Sequence, residues 1–242
     1  SKDFKMGAMT LEERVELFNI LSKKFGIHPY LAYIIMVAES GGILKNGKPR
    51  NGLGLKCKVG FEPHVYYKTY LSDAQRKLTG WGACTSSAAL GGCKGFKAKG
   101  LNIRWTGLAK VAALGLTNRH TVYRCATYGF AQVFPTPRGL DMNLADIGKF
   151  PTDAYEYSKL MKQSEDAQIR AFFAFIIGKN GRQSPYFLKA IQEFDFPKIA
   201  QGYNGAPYPY GWYLENMWRK RKKQWGLTRI WSEDHVLKIW DK

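Results

Sequence analysis

The chain has no run of about 18 or more apolar residues, which argues against a membrane-spanning helix. It lacks G-x-S-x-G, a Walker loop and a dinucleotide fingerprint, so a serine hydrolase, an NTPase and a dehydrogenase are disfavoured. None of its four cysteines is spaced C-x-x-C, and H-E-x-x-H is absent; neither a metal nor a cofactor is expected. No internal repeat, β-rich half or low-complexity linker interrupts the 242 residues, a length sufficient for a core without staples. Acids are scarce. Asp and Glu number 19 against 37 Lys and Arg, a net charge of +18.

Such a field attracts polyanions, and an anionic envelope surface fits as well as nucleic acid. Ser1 to Met9 has lysines but no apolar stretch of signal-peptide length, so no export signal is read. Residues 1–9 are set outside the fold as a disordered or start-site remnant, and residues 10–242 are expected to form one domain. Cys57, Cys84, Cys93 and Cys125 allow three pairings, and without an export signal the default is reduced thiols. Cys84 and Cys93, bracketing 85-TSSAALGG-92, are the pair to watch for a disulfide.

Thr10-Leu11-Glu12-Glu13 reads as a capping box before apolar residues at helical spacing, closed by Gly26. Pro29 opens a second helix, apolar nearly all round and therefore buried, running to Glu39. The Gly-rich 45-KNGKPRNGLG-54 reads as turns or a short hairpin, and 63–78 as one helix. Residues 79–120, rich in Gly, Ala, Ser and Lys with weak periodicity, read as an insertion or flap. Ser164 caps 165–178, and further helices are expected at 185–194, 196–203 and about 210–225. The fold class is mainly α.

One stretch, 35-IMVAESGGI-43, carries a lone carboxylate at the end of the greasiest helix. Burial and the helix C-terminus both penalise ionisation, raising the pKa of Glu39 toward that of a general acid. Gly41 and Gly42 then stop the helix and leave room for a bulky substrate. The bland alternative is a last helical residue facing water. From the helix alone both readings stand.

The set A-E-S-G-G, Y-G-x-A-Q (128-YGFAQVFP-135) and Y-N-G-A-P (203-YNGAP-207), in this order, resembles the lysozyme-like superfamily, which includes goose-type lysozymes and lytic transglycosylases. With 45-KNGKP-49 and 61-FEPHVYY-67 it is similar to the phage N-acetylmuramidase family of endolysins, over roughly 10–78 and 121–220. The resemblance implies a lysozyme-like catalytic domain with a small hairpin or loop region beside the cleft. It implies Glu39 as the acid that protonates the β-1,4 linkage between N-acetylmuramic acid and N-acetylglucosamine. Glu62 is the implied second carboxylate; a helix-capping or Lys-pairing role competes with it. Where the family commonly has Asp in D-G-R-P this chain has Asn46, which cannot act as a base, and Asp73 is a distant reserve. Tyr128, Gly129, Gln132, Tyr203 and Asn204 are the implied substrate contacts, each with packing or turn chemistry as the competing role. His64 follows Glu62 closely enough to line the cleft; His28, His120 and His235 are read as surface or capping residues.

The basic run 218-WRKRKKQW-225 suits an anionic envelope surface. The implied partner is peptidoglycan, with no nucleic acid and a monomeric state expected. The implied place is the host cytoplasm until lysis and the cell wall or periplasm thereafter. Two alternatives stay open: a lytic transglycosylase giving 1,6-anhydro ends, and a non-enzymatic basic protein that binds nucleic acid.

Overall fold

A computed structural model describes residues 4–39, 57–86, 91–135, 147–177, 185–204 and 207–219, without the side chains of Leu11, Val37, Glu39, Pro185 and Asn204. Helix α1 (Leu11–Lys24) opens with the expected capping box: the Thr10 hydroxyl accepts from the Glu13 amide, and the Glu13 carboxylate accepts from that of Thr10. Gly26, at φ +67°, supplies the left-handed turn that frees the chain for helix α2 (Pro29–Glu39). Every residue from Tyr30 to Met36 is buried, so α2 lies inside the molecule. Its Tyr33 meets the edge of Phe18 on α1 at 5.7 Å, and Phe18 meets Phe173 of helix α9 (Glu165–Ile177) at 5.4 Å. Burial of each such ring contributes about 1.5–3 kcal/mol.

The C-terminal half completes this bundle. Helix α8 (Ala154–Gln163) precedes α9, and α10 (Pro185–Gln192), α11 (Phe196–Asn204) and α12 (Tyr210–Arg219) follow it. Ser164 ends α8 and caps α9, its hydroxyl accepting from the Ala167 amide at 2.9 Å. Asp195 caps α11 in the same way through Lys198. Trp218 at the end of α12 packs on His28 and Tyr30 at the start of α2.

Residues 57–135 form a second region. Strand β1 (Val59–Phe61) pairs antiparallel with β2 (Ala126–Tyr128), Gly60 opposite Thr127, although the two lie far apart in the chain. The helix expected over 63–78 is two helices, α3 (Pro63–Tyr70) and α4 (Asp73–Thr79). Ser72 breaks it because its hydroxyl and the Gln75 side chain form a second capping box. The described part of 79–120 does not sit apart as a flap: residues 79–86 and 91–120 contribute side chains to the core. Trp81 stacks on Tyr67 at 6.2 Å and meets the edge of Phe96 at 5.1 Å, and Leu108 and Val111 are fully buried. Helices α5 (Lys94–Ala98), α6 (Trp105–Ala113) and α7 (Arg119–Tyr123) are short, which is why periodicity was weak here. A side chain on Gly95 would overlap the Trp81 carbonyl, so a glycine is required there.

Two further expectations are corrected. The all-reduced default fails at Cys84 and Cys93, which form a disulfide with Cα atoms 4.2 Å apart; Cys57 and Cys125 are free. The remnant reading of 1–9 fails over residues 4–9. Phe4 is buried against Phe150, and the Lys5 and Met9 amides donate to the carboxylates of Asp166 and Glu165. Glu165, fully buried, also accepts from Arg14 at 2.5 Å. No described helix is long and apolar enough to cross a membrane.

Candidate active site

Glu62 stands where β1 turns into α3. The ladder runs one residue past β1, the Glu62 amide donating to the Cys125 carbonyl at 2.9 Å. Pro63 then starts the helix, its missing N–H costing nothing at the first position. Glu62 occupies the N-cap, but its carboxylate accepts no hydrogen bond from the helix amides, so the capping role is excluded. The carboxylate lies 3.3 Å from Nδ1 of His64, and its side chain is 31% exposed. The carboxylate is thus partly exposed and stands outside its own helix cap. His64 is thereby brought to the same spot, as a partner of Glu62.

Beside this carboxylate, β2 continues into a tight loop. The Tyr128 and Val133 amides exchange hydrogen bonds with each other's carbonyls at 3.0 Å, and two residues between them take left-handed backbone, Gly129 at φ +81° and Gln132 at φ +53°. A non-glycine residue there costs of order 1–3 kcal/mol and is held only by its surroundings. The Gln132 amide accepts from the Thr127 hydroxyl and donates to the Gly129 carbonyl, each at 2.9 Å. A primary amide has a second N–H to offer, so Gln132 remains able to donate. The loop is tied to the bundle by Gln168 of α9, which accepts from the Phe130 amide at 3.2 Å.

The model of the family described as "Muramidase: N-acetylmuramidase" matches residues 32–224, from within α2 through Glu62 and the Gln132 loop to beyond α12. The chain belongs to the N-acetylmuramidase family. It is a peptidoglycan hydrolase and a glycosidase. Among solved structures it is similar to the crystal structure of Burkholderia AP3 phage endolysin, at 18% identity and a TM-score of 0.54, covering 86% of this chain and 70% of that one. That likeness shows a lysozyme-like fold. No curated protein matches the chain. Family membership favours neither the transglycosylase nor the nucleic-acid alternative.

Within this muramidase the other expected contacts fare differently. Tyr128 is a core residue: it is buried, its hydroxyl donates to the Tyr123 carbonyl at 2.7 Å, and its ring lies 5.5 Å from Trp105. Its phenol is held well above the ordinary range, first by burial and then by neighbouring Tyr123 and Tyr157. Gly129 is also buried and faces Gln168, which a side chain would meet at 3.1 Å; its left-handed backbone and this close packing both favour glycine. Tyr203 packs on Phe175 and Phe187, at 5.1 and 5.6 Å. Asp73 pairs with Arg76 on α4, serving that helix. His28 accepts from the Tyr30 amide and His120 from that of Ala154, the capping roles expected of them.

Glu39 is the last residue of α2; its side chain, the Asn204 side chain, the Gly41–Gly42 stop and Asn46 lie outside the described residues, as do His235 and residues 220–225 of the basic run. Sequence reasoning passed over Thr127 and Gln168, which fix the Gln132 loop. Gln168 left no signal, because it sits among Glu165, Asp166 and Arg170 in the polar first half of α9.

Proposed function

We propose that the enzyme cleaves the β-1,4 bond between N-acetylmuramic acid and N-acetylglucosamine, with Glu39 as general acid and Glu62 as second carboxylate, and that it serves a phage as an endolysin. The observation that carries this reading is the family match running unbroken through both glutamates. Helix α2 supports it, since a helix buried from Tyr30 to Met36 ends at Glu39, where its C-terminal dipole disfavours a charged carboxylate. Glu62, free of cap duty, is the base toward water or the stabiliser of the oxocarbenium-like transition state. Gln132 offers an amide donor to acetamido or hydroxyl groups, and the endolysin role rests on the fold shared with the AP3 protein. Glu39→Gln is expected to lower the rate of clearing of a cell suspension by about a hundredfold or more, with unchanged melting temperature. Glu62→Gln is expected to lower it by a smaller factor. Clearing by Glu39→Gln at the wild-type rate removes Glu39 as the acid.

A further inference from the structure

We propose that the lysine-rich face of residues 57–135 is a docking surface for the peptide stems of peptidoglycan, gripped through their free carboxylates. The proposal rests on peptidoglycan as the substrate and says where, besides the glycan site, the wall is held. Residues 57–135 contain eleven lysines and arginines but only two acids, Glu62 and Asp73, and so hold half of the net charge of +18. Four of the cations converge. Gly95 and Phe96 turn inward against Trp81, so Lys94 and Lys97 of α5, and Lys99 after it, point outward. The Lys99 ammonium lies alongside Gly80, which follows the turn of α4 that carries Lys77. All four lysines are exposed.

A groove of about 580 Å³ opens at Lys77 and Gly80, lined also by Tyr67, Asp73 and Arg76. Its one acid is matched within the fold. Asp73 pairs with Arg76, whose guanidinium also donates to the carbonyls of Tyr67 and Lys68. Among the described residues no carboxylate pairs with Lys77, Lys94, Lys97 or Lys99, whereas Lys159, Lys189 and Lys198 elsewhere lie 3.0, 3.7 and 3.3 Å from an acid. The unmatched charge is therefore local, and it calls for an external anion. Its form selects the anion. Ammonium groups act as separate point charges, which suits singly charged carboxylates spaced along a polymer, whereas the arginine fork favours close bidentate contact with one anion. Among the described residues of this region the exposed large hydrophobics are Leu78 and Leu114, and Tyr67, Tyr70 and Trp105 are half-buried.

The test is co-sedimentation with insoluble sacculi at low salt, in a Glu39→Gln background that leaves the sacculi intact. Lys77, Lys94, Lys97 and Lys99 are replaced together by Gln, and a control replaces Lys149, Lys159, Lys189 and Lys198. The expected result is about a tenfold loss of affinity for the first set, little change for the control, and matching melting temperatures. Sacculi whose stem carboxylates have been amidated, or whose stems have been removed by an amidase, are expected to lose the same affinity. Raising the salt is expected to erase the difference between wild type and variant. Unchanged binding by the first variant overturns the proposal, as does wild-type affinity for stem-free glycan. Binding that disappears only when phosphate polymers are stripped from the sacculi, or preference for DNA over sacculi, also overturns it. Failure of the Glu39 reading appears separately, as glycan release by the Glu39→Gln protein.

Discussion

Residues 4–39 and 147–177 hold together through α1, α2, α8 and α9, helices of 10 to 14 residues, and their buried charges are matched: Glu165 to Arg14 and Asp166 to Arg170. Residues 57–135 have helices of five to nine residues, a disulfide, a cluster of aromatic rings around Trp81 and a surplus of unmatched cations. Short helices have little apolar stripe to bury and leave more of their surface to solvent. The first region invests its charge in its own fold; the second keeps charge on its surface and uses rings and a covalent link instead. Of the two carboxylates proposed for catalysis, Glu39 ends a helix of the first region and Glu62 opens one of the second.

That contrast can be broken region by region. Glu165→Ala strands the buried Arg14 charge and frees the Met9 amide, with an expected loss of about 3–5 kcal/mol in urea unfolding. Retained stability would show that the bundle does not depend on its internal ion pair. Replacing Cys84 and Cys93 together by Ser is expected to cost less, about 2–3 kcal/mol for so short a loop, and reductant should cost the wild type the same. The smallest effect is alkaline and falls on both regions. Burial pushes the Cys57 thiol up to about 12 and raises the phenols of Tyr128 in one region and Tyr157 in the other. Groups whose proton is held more tightly in the folded chain stabilise it below their unfolded pKa, and this contribution is lost as pH rises. The melting temperature is thus expected to fall by a few degrees between about pH 9 and 11, and less in Cys57→Ala.

The same contrast governs what the sequence makes legible. The bundle helices over 11–24, 29–39 and 165–177 are long enough for caps and apolar period to declare them. Residues 79–120 are not, because helices of five residues complete too few turns to show a period. The anchoring of residues 4–9 is invisible locally, since the carboxylates that hold it come from 165 and 166. At the site, Glu62 stands out as a motif, and the structure adds its His64 partner and its freedom from the helix cap. The burial of Tyr128 is not legible locally, because the backbone carbonyl its hydroxyl meets belongs to Tyr123, outside the motif. Thr127 escapes notice because its importance lies in the side chain it holds, Gln132.

Mass spectrometry of the soluble fragments released from purified sacculi tests the central claim most directly. Hydrolysis with Glu39 as acid predicts fragments ending in reducing N-acetylmuramic acid, produced by the wild type and absent with Glu39→Gln. Fragments ending in 1,6-anhydromuramic acid, or the same fragments from both proteins, would contradict it.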